Sequence, residues 1–437
     1  MEQQIKHQGT IVTAAGTGIN LALGVLYTWS IFKGAIKQSI DTRGPGAFQW
    51  EPSTLNDPYA LCCIVFACMM IAAGKIQDRF GPRITAILGG MLVGVGFVWV
   101  SQTTAYVSWL IGFGVLAGTG IAFGYSSATP AALKWYPPNK TGKISGIVVS
   151  GFGLASVYIA PLAQYLLNRA GIEGAMLFFG TAFFVVVGLL ALFLVNPPEG
   201  YQAPGFEERR GMTATGKEGR PRIEDRSAGP LDMIREPAFW NLWLLYFIGA
   251  GAGLMVIGSV AGMAKASLGK NAFFAVAILA IGNAAGRIAA GMLSDRIGRK
   301  WTLFGVFLVQ AGLMLLAIPV TSAEGANPFL LLTLATLIGF NFGANLALFP
   351  SFSKDLWGMK NFGVNYGMLF TAWGVGGLVM GRVSESLFAR TGTFVVSFLT
   401  AGILLLAGTV MILFMHDKKS EKRRELSRQL AHRAAHA

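Results

Sequence analysis

Charged side chains are scarce in this sequence. Asp, Glu, Lys and Arg make up 13% of the 437 residues, against a usual share of about 25% in soluble proteins. Hydrophobic residues account for 53% and the mean hydropathy is +0.55. A soluble protein of this size would carry many more charges, so the composition predicts a chain that lies mainly in lipid.

Residues for metal binding or acid–base chemistry are also few. Cys62, Cys63 and Cys68 lie together in one apolar run, and the four histidines all lie near the termini. No His or carboxylate accompanies the cysteines at a ligand spacing. We therefore predict no metal site, no disulfide framework, no cofactor and no enzymatic activity. The first apolar run is too long for a signal peptide and is expected to be a spanning helix.

Long apolar runs are present instead. A helix that crosses about 30 Å of hydrocarbon needs roughly 20 apolar residues. Runs of this length are predicted at 11–37, 59–76, 84–101, 107–134, 143–168, 174–195, 238–264, 271–293, 301–320, 328–352, 362–388 and 393–415. The sequence thus predicts an all-α membrane protein with twelve transmembrane helices.

A polar segment rich in Gly and Pro divides these runs into two sets of six. The predicted organisation is an N-terminal six-helix bundle (1–195), a linker (196–237), a C-terminal six-helix bundle (238–415) and a basic tail (416–437). Most of the 35 basic residues fall in the linker, the tail and alternate loops. The positive-inside rule then places both termini in the cytoplasm, here of a cell inner membrane. The net charge of +14 is explained by this topology, and no nucleic-acid partner is predicted; we expect a monomer.

Two similar loops follow the second and eighth helices. Gly74-Lys-Ile-Gln-Asp-Arg-Phe-Gly-Pro-Arg83 and Gly291-Met-Leu-Ser-Asp-Arg-Ile-Gly-Arg-Lys300 occupy equivalent places in the two halves. We call them the first and second latch loops. Each combines a small residue for close helix packing, a carboxylate that can face a helix N-terminus and a turn glycine. This parallel repeat is typical of secondary transporters.

The repeat resembles the signature loop of the major facilitator superfamily, and the resemblance covers the whole chain. It implies two pseudo-symmetric six-helix bundles, supported by a fifth-helix stretch from Gly146 to Pro161 that is similar to the family's Gly-rich motif. In that family these loops latch the cytoplasmic side. The gating residues implied here are Asp78, Arg79, Arg83, Asp295, Arg296 and Arg299; a purely structural role is the alternative.

Arg287 is the one charge expected deep in the membrane. It lies eight residues before Asp295, or about 12 Å along a helix, where a guanidinium costs about 2.5–3.5 kcal/mol. All 21 acidic residues are predicted in tails, loops or helix ends, with Glu385 the nearest candidate. Two explanations remain open: backbone carbonyls with Asn or Tyr side chains satisfy Arg287, or its missing anion is the substrate. A carboxylate suits the guanidinium fork best.

Blocks at 24–30, 124–146, 343–350 and 365–374 resemble the oxalate/formate antiporter and monocarboxylate-carrier branch. In that branch an eighth-helix Arg binds the substrate carboxylate, and Arg287 matches it. Oxalate carriers have a second cation, a Lys, where this chain has Trp373, which favours monocarboxylates such as lactate, pyruvate or formate. Animal monocarboxylate carriers often have an Asp where this chain has Asn283, so proton symport and anion exchange both remain open.

The residues expected around the substrate come from both halves of the chain. They are Arg287, Tyr27, Trp29, Phe123, Tyr125, Phe152, Phe342, Asn345, Phe370 and Trp373. Packing is the alternative for each aromatic residue taken alone. The predicted function is secondary active transport of small organic anions by alternating access. The alternatives are an oxalate:formate-type dicarboxylate antiporter and a transport-inactive sensor.

Overall fold

Helices form nearly all of the described structure. The computed structural model describes residues 2–44, 46–198, 201, 228–268, 272–322 and 327–415, and within these ranges it contains no strand. The tail 416–437 and most of the linker 196–237 lie outside the described residues. The spanning helices are α1 (Glu2–Leu23 and Trp29–Thr42), α2 (Asp57–Phe80), α3 (Pro82–Val100), α4 (Tyr106–Trp109 and Gly118–Leu133), α5 and α6 (together Thr141–Ala191), α7 (Pro237–Leu268), α8 (Ala272–Ile297), α9 (Arg299–Ser322), α10 (Pro328–Trp357), α11 (Phe362–Thr391) and α12 (Val395–Leu413).

These helices confirm the prediction of twelve spans. Among the described residues, ten helical stretches are long and apolar enough to cross a membrane, and one of them, Pro138–Ala191, contains both α5 and α6. Gly171 separates that pair with a φ of 67°, a left-handed conformation that only glycine adopts readily. α11, with 30 residues, is the remaining span. The protein is therefore a multi-pass membrane protein.

Two helices depart from α-helical geometry inside the bilayer. A 3-10 turn, Gly24–Thr28, joins the two parts of α1, and a π-helical stretch, Leu110–Ala117, joins those of α4. Gly24 allows α1 to approach α5 closely, since an added Cβ would lie 2.6 Å from the Phe152 carbonyl oxygen. This turn carries Tyr27 to the contact between the two helices.

The first six and the last six helices meet along two glycine-lined seams. A Cβ added at Gly74 of α2 would lie 2.1 Å from the carbonyl oxygen of Gly363 on α11. One added at Gly142 of α5 would lie 2.2 Å from that of Gly291 on α8. Any larger side chain would force the helices apart, so the glycines of the two latch loops set the distance between the halves.

Both described chain ends lie on the side of the latch loops, which we call the latch side; the opposite side is the far side. Lys300, in the second latch loop, donates hydrogen bonds to the carbonyls of Leu413 and Met415 at the end of α12 (2.8 and 2.5 Å). Gly9, near the start of α1, packs against Trp135 in the α4–α5 connection. The latch loops and both ends of the described structure therefore share one side.

Candidate functional site at the seam between the halves

Arg287 lies on α8 at the seam with α1 and α5 and is completely buried. Its Nε donates to Asn283 Oδ1 (2.9 Å) and its Nη1 donates to the Val149 carbonyl oxygen on α5 (2.5 Å). Its Nη2 lies 3.5 Å from the Tyr27 hydroxyl on α1. A side chain of the second half is thus held by two helices of the first half.

These contacts match the first of the two explanations given above for Arg287. A backbone carbonyl, an Asn and a Tyr accept hydrogen bonds from its guanidinium. They occupy three of the five guanidinium N–H groups. Within the described part of the chain no carboxylate pairs with Arg287, and the side chain of Glu385 lies outside it. In this conformation hydrogen bonds hold the guanidinium, and the described side chains include no carboxylate that neutralises its charge.

Aromatic rings from both halves gather beside Arg287. The rings nearest to Phe370 of α11 have centroids at 5.0 Å (Phe66), 5.2 Å (Trp373), 5.4 Å (Tyr125), 5.8 Å (Tyr366) and 6.1 Å (Tyr246). Phe152 links this group to the arginine, since its ring lies 5.5 Å from Tyr125 and 5.4 Å from Tyr27. We call Phe370, these five rings, Phe152 and Tyr27 the central aromatic cluster.

Five of the nine residues predicted around Arg287 belong to this cluster: Tyr27, Tyr125, Phe152, Phe370 and Trp373. The other four lie elsewhere. Trp29 packs against Tyr59 and Phe113 inside the first half, with centroids at 6.3 and 4.6 Å. Phe342 and Asn345 pack against Gly253 and Gly249 of α7, inside the second half. Phe123 is buried in α4, without a ring contact to the described cluster.

Three cluster members, Phe66, Tyr246 and Tyr366, were not predicted. Tyr366 had a detectable signal, because 366, 370 and 373 follow the i, i+4, i+7 spacing of one helix face. Phe66 and Tyr246 stand in uniformly apolar helices, where the sequence does not indicate which face meets the other half.

A cavity of about 950 Å³ opens on the far side, between α1 and the α5–α6 turn. Its polar lining includes Gln38, Thr42, Gln164 and Asn168. None of the residues predicted to bind substrate lines it. The seam around Arg287 therefore stays the candidate site.

The carboxylates of the latch loops cap helices of the opposite half. Asp78 accepts hydrogen bonds from the backbone N–H groups of Gly363 and Val364 at the start of α11, both at 3.1 Å. Asp295 accepts from those of Gly142 and Lys143 at the start of α5, at 2.9 and 2.8 Å. Both carboxylates also meet the positive end of a helix dipole. Two caps, at equivalent positions of the two latch loops, therefore join the halves on the latch side.

The two caps differ in their charged support. Arg299 donates to Asp295 (2.7 Å) and to Asp355 (3.1 Å), and also contacts Ser294. In the first latch loop Pro82 stands where Arg299 stands in the second, so Asp78 lacks this support. Arg83 instead donates to the Leu192 carbonyl within its own half (2.8 Å). The second latch is the more strongly bonded one.

Other basic residues surround the latches. Arg79 and Arg296 are exposed, and the Arg79 guanidinium lies 5.2 Å from the centroid of the Phe80 ring. Lys354 of α10 donates to the Thr141 hydroxyl across the seam (3.0 Å). Burial lowers the pKa of Lys134, just beyond α4, and the nearby Asp78 charge partly offsets this. Of the six predicted gating residues, Asp78, Asp295 and Arg299 lie at the contact between the halves.

Gln77 weakens the first latch. Its side chain is 1% exposed and lies at the seam with Gly363, yet both its amide atoms lack a hydrogen-bond partner in the described structure. A buried unpaired polar group costs about 1–3 kcal/mol. We expect Gln77→Met to remove this free-energy cost and so to raise the thermal unfolding midpoint of the purified protein. Gln38→Met, at an exposed position, is the matched control; equal midpoints for Gln77→Met and the wild type would contradict the prediction.

Known proteins agree with this fold and with the repeat. The sequence model of the Major Facilitator Superfamily matches residues 10–273 and 264–436. The oxalate:formate antiporter of Oxalobacter formigenes is 26% identical over 400 residues, which cover 89% of this chain and 88% of the antiporter. Monocarboxylate transporter 13 of Bos taurus is 29% identical over 347 residues, covering 78% and 75%.

A solved structure extends the comparison to three dimensions. The fucose:proton symporter FucP of E. coli superimposes with a TM-score of 0.65 and 14% identity, over 94% of this chain and all of the symporter. At that identity the likeness concerns the fold alone. With the family match over both halves and the capped repeat at their seam, the chain belongs to the Major Facilitator Superfamily.

Proposed function

We propose that this protein is a secondary active transporter of small monocarboxylates, of the lactate, pyruvate and formate class. One observation carries the proposal: Arg287 is completely buried at the seam between the halves and pairs with no acid among the described residues. A buried guanidinium is stabilised most by a planar carboxylate that accepts two of its N–H groups. The substrate supplies that carboxylate.

The relatives support the same substrate class. One is named an oxalate:formate antiporter and another a monocarboxylate transporter, so small carboxylates are common to both names. Trp373, which packs against Phe66 and Phe370, stands where the family resemblance implies a Lys in oxalate carriers. A dianion would leave its second charge unpaired among these rings, at a cost of several kcal/mol. This favours monocarboxylates over oxalate.

The latches supply the moving part of the mechanism. We take the latch side to be the cytoplasmic side of an inner membrane, because the basic loops and both described chain ends lie on it. With Asp78 and Asp295 bound across the seam, the cytoplasmic side is closed. Substrate binding replaces contacts of Arg287 with Val149 and Tyr27, which join the halves, and so lowers the cost of separating them. Alternating access follows from rocking the two bundles about the central site.

A counterflow experiment tests the proposal. Purified protein in liposomes loaded with unlabelled lactate is expected to take up labelled lactate, pyruvate and formate, whereas external oxalate is expected to compete poorly. Repeating the assay with and without a pH gradient distinguishes proton symport from anion exchange. Effective competition by oxalate would favour an oxalate:formate-type antiporter. Binding of lactate without counterflow would instead indicate a sensor.

A further inference from the structure

The last residues of the linker bond to the connection between α10 and α11. The Ala228 N–H donates to the carbonyl oxygen of Trp357, the last residue of α10 (3.3 Å). The Ala228 carbonyl oxygen accepts from the side-chain amides of Asn361 (3.2 Å) and Asn365 (3.1 Å). Glu236 accepts from the Trp357 indole N–H (3.2 Å). Because Ala228 and Trp357 are both buried, this end of the linker is packed into the second half.

The same connection leads into the helix start that Asp78 caps. Asn361 is the residue just before α11, and Asn365 directly follows Val364, one of the two backbone donors to Asp78. The two bonds to Ala228 therefore fix the chain on both sides of these donors. Hydrogen bonds weaken steeply when their distance and angle change. The linker end thus holds one partner of the first latch in place.

The first residues of the linker bond to the connection between α4 and α5. Asn196 Oδ1 accepts from Lys134 Nζ (3.0 Å), and the Tyr201 hydroxyl donates to the Trp135 carbonyl oxygen (3.2 Å). The rings of Tyr201 and Trp135 also pack, with centroids 5.2 Å apart. The amide of Asn196 lies beside the turn glycine of the first latch loop, 3.8 Å from a Cβ added at Gly81. The linker start therefore adjoins the other partner of the first latch.

These contacts stand where the first latch differs from the second. In the second latch loop Arg299 pairs with Asp295, whereas a proline takes the place of that arginine in the first. The charge of Lys134 acts on Asp78 instead, and Asn196 holds the Lys134 ammonium group. The linker start thus positions a cation near the first cap, and the linker end positions the donors of that cap.

We propose that the two docked ends of the linker brace the first latch, and that Asn196, Asn361 and Asn365 are positioning residues for its closure. The bonds described above lie within one half at each end. The brace therefore orients the partners of the latch without itself joining the halves. Releasing either end lowers the share of molecules that are closed on the latch side. The inference rests on the latch mechanism of the proposed function and extends it from the loops to the linker.

Distances between spin labels in the full-length protein test the brace. The labels are placed on cysteines introduced at Lys140 and Phe414, which are exposed on opposite halves of the latch side, in a variant without the native cysteines. The double variant Asn361→Ala/Asn365→Ala is expected to raise the ratio of open to closed protein about tenfold, because it loses two hydrogen bonds. Asn196→Ala should raise this ratio severalfold.

Two further variants calibrate the measurement. Asn168→Ala, at an exposed position on the far side, should keep the wild-type distance distribution. Asp78→Asn weakens the latch itself and shows how large a shift the labels report. The thermal unfolding midpoint is measured for every variant, because a purely structural contact would change the midpoint and leave the distances as they are.

The outcomes separate this inference from the mechanism on which it rests. If Asp78→Asn leaves the distances unchanged, the latch mechanism fails and the brace with it. If Asp78→Asn opens the latch side but the linker variants do not, the latch stands and the brace is refuted. Linker variants with a lower unfolding midpoint and wild-type distances would likewise refute it, since their contacts would then only stabilise the fold.

Discussion

Uptake of monocarboxylates is expected to fall at least about 100-fold when Arg287 is replaced by alanine or by lysine. Removing one partner of a buried charge pair costs about 3–5 kcal/mol, and 1.4 kcal/mol corresponds to a factor of ten. Lysine retains the charge but lacks the planar fork that binds two carboxylate oxygens. It also cannot reach Asn283 and Val149 with the geometry of the guanidinium, so both variants should lose transport. The measurement is counterflow of labelled lactate in liposomes.

A control is needed because Arg287 also joins the halves. Arg382→Gln removes a guanidinium at an exposed position of α11 and should leave uptake unchanged. Membrane insertion and the thermal unfolding midpoint should be measured for each variant. Normal lactate uptake by Arg287→Ala would refute the assignment of the substrate site.

Asp295→Asn is expected to open the latch side more than Asp78→Asn does. Both substitutions remove charge-assisted bonds to two backbone N–H groups, but only the first also breaks the ion pair with Arg299. Charge-assisted bonds contribute about 1.5–3 kcal/mol each, so losing this pair shifts the equilibrium by a further tenfold or more. We expect Asp295→Asn to populate the state that is open on the latch side.

Distances between spin labels measure this shift. Labels on cysteines introduced at Lys140 and Lys360, which are exposed on opposite halves, report the separation of the halves on the latch side. Cys62, Cys63 and Cys68 are first replaced by alanine. Asp41→Asn, at an exposed far-side position, should give the wild-type distance distribution. A larger shift for Asp78→Asn than for Asp295→Asn would contradict the unequal latches.

The central site was only partly predictable. Arg287 stands out in the sequence because a charge in an apolar run is costly wherever the helix packs. Tyr125 and Phe370 were chosen from family-like blocks and do belong to the central aromatic cluster. Trp29 was chosen in the same way and faces the interior of the first half, because the 3-10 turn before it changes the direction in which α1 presents its side chains. That turn is not visible in the hydrophobic pattern.

The sequence by itself determined the class of protein, the number of spans and the two latch loops. Each of these depends on hydrophobicity, length or repetition along the chain, which are local properties. The tertiary structure decided which residues meet across the seam: Val149 with Arg287, Asp295 with the start of α5, and Tyr246 and Tyr366 with Phe370. In helices that are apolar on every side, the packing of one bundle against the other selects the inward face. For that reason the partners of Arg287 emerged only from the folded protein.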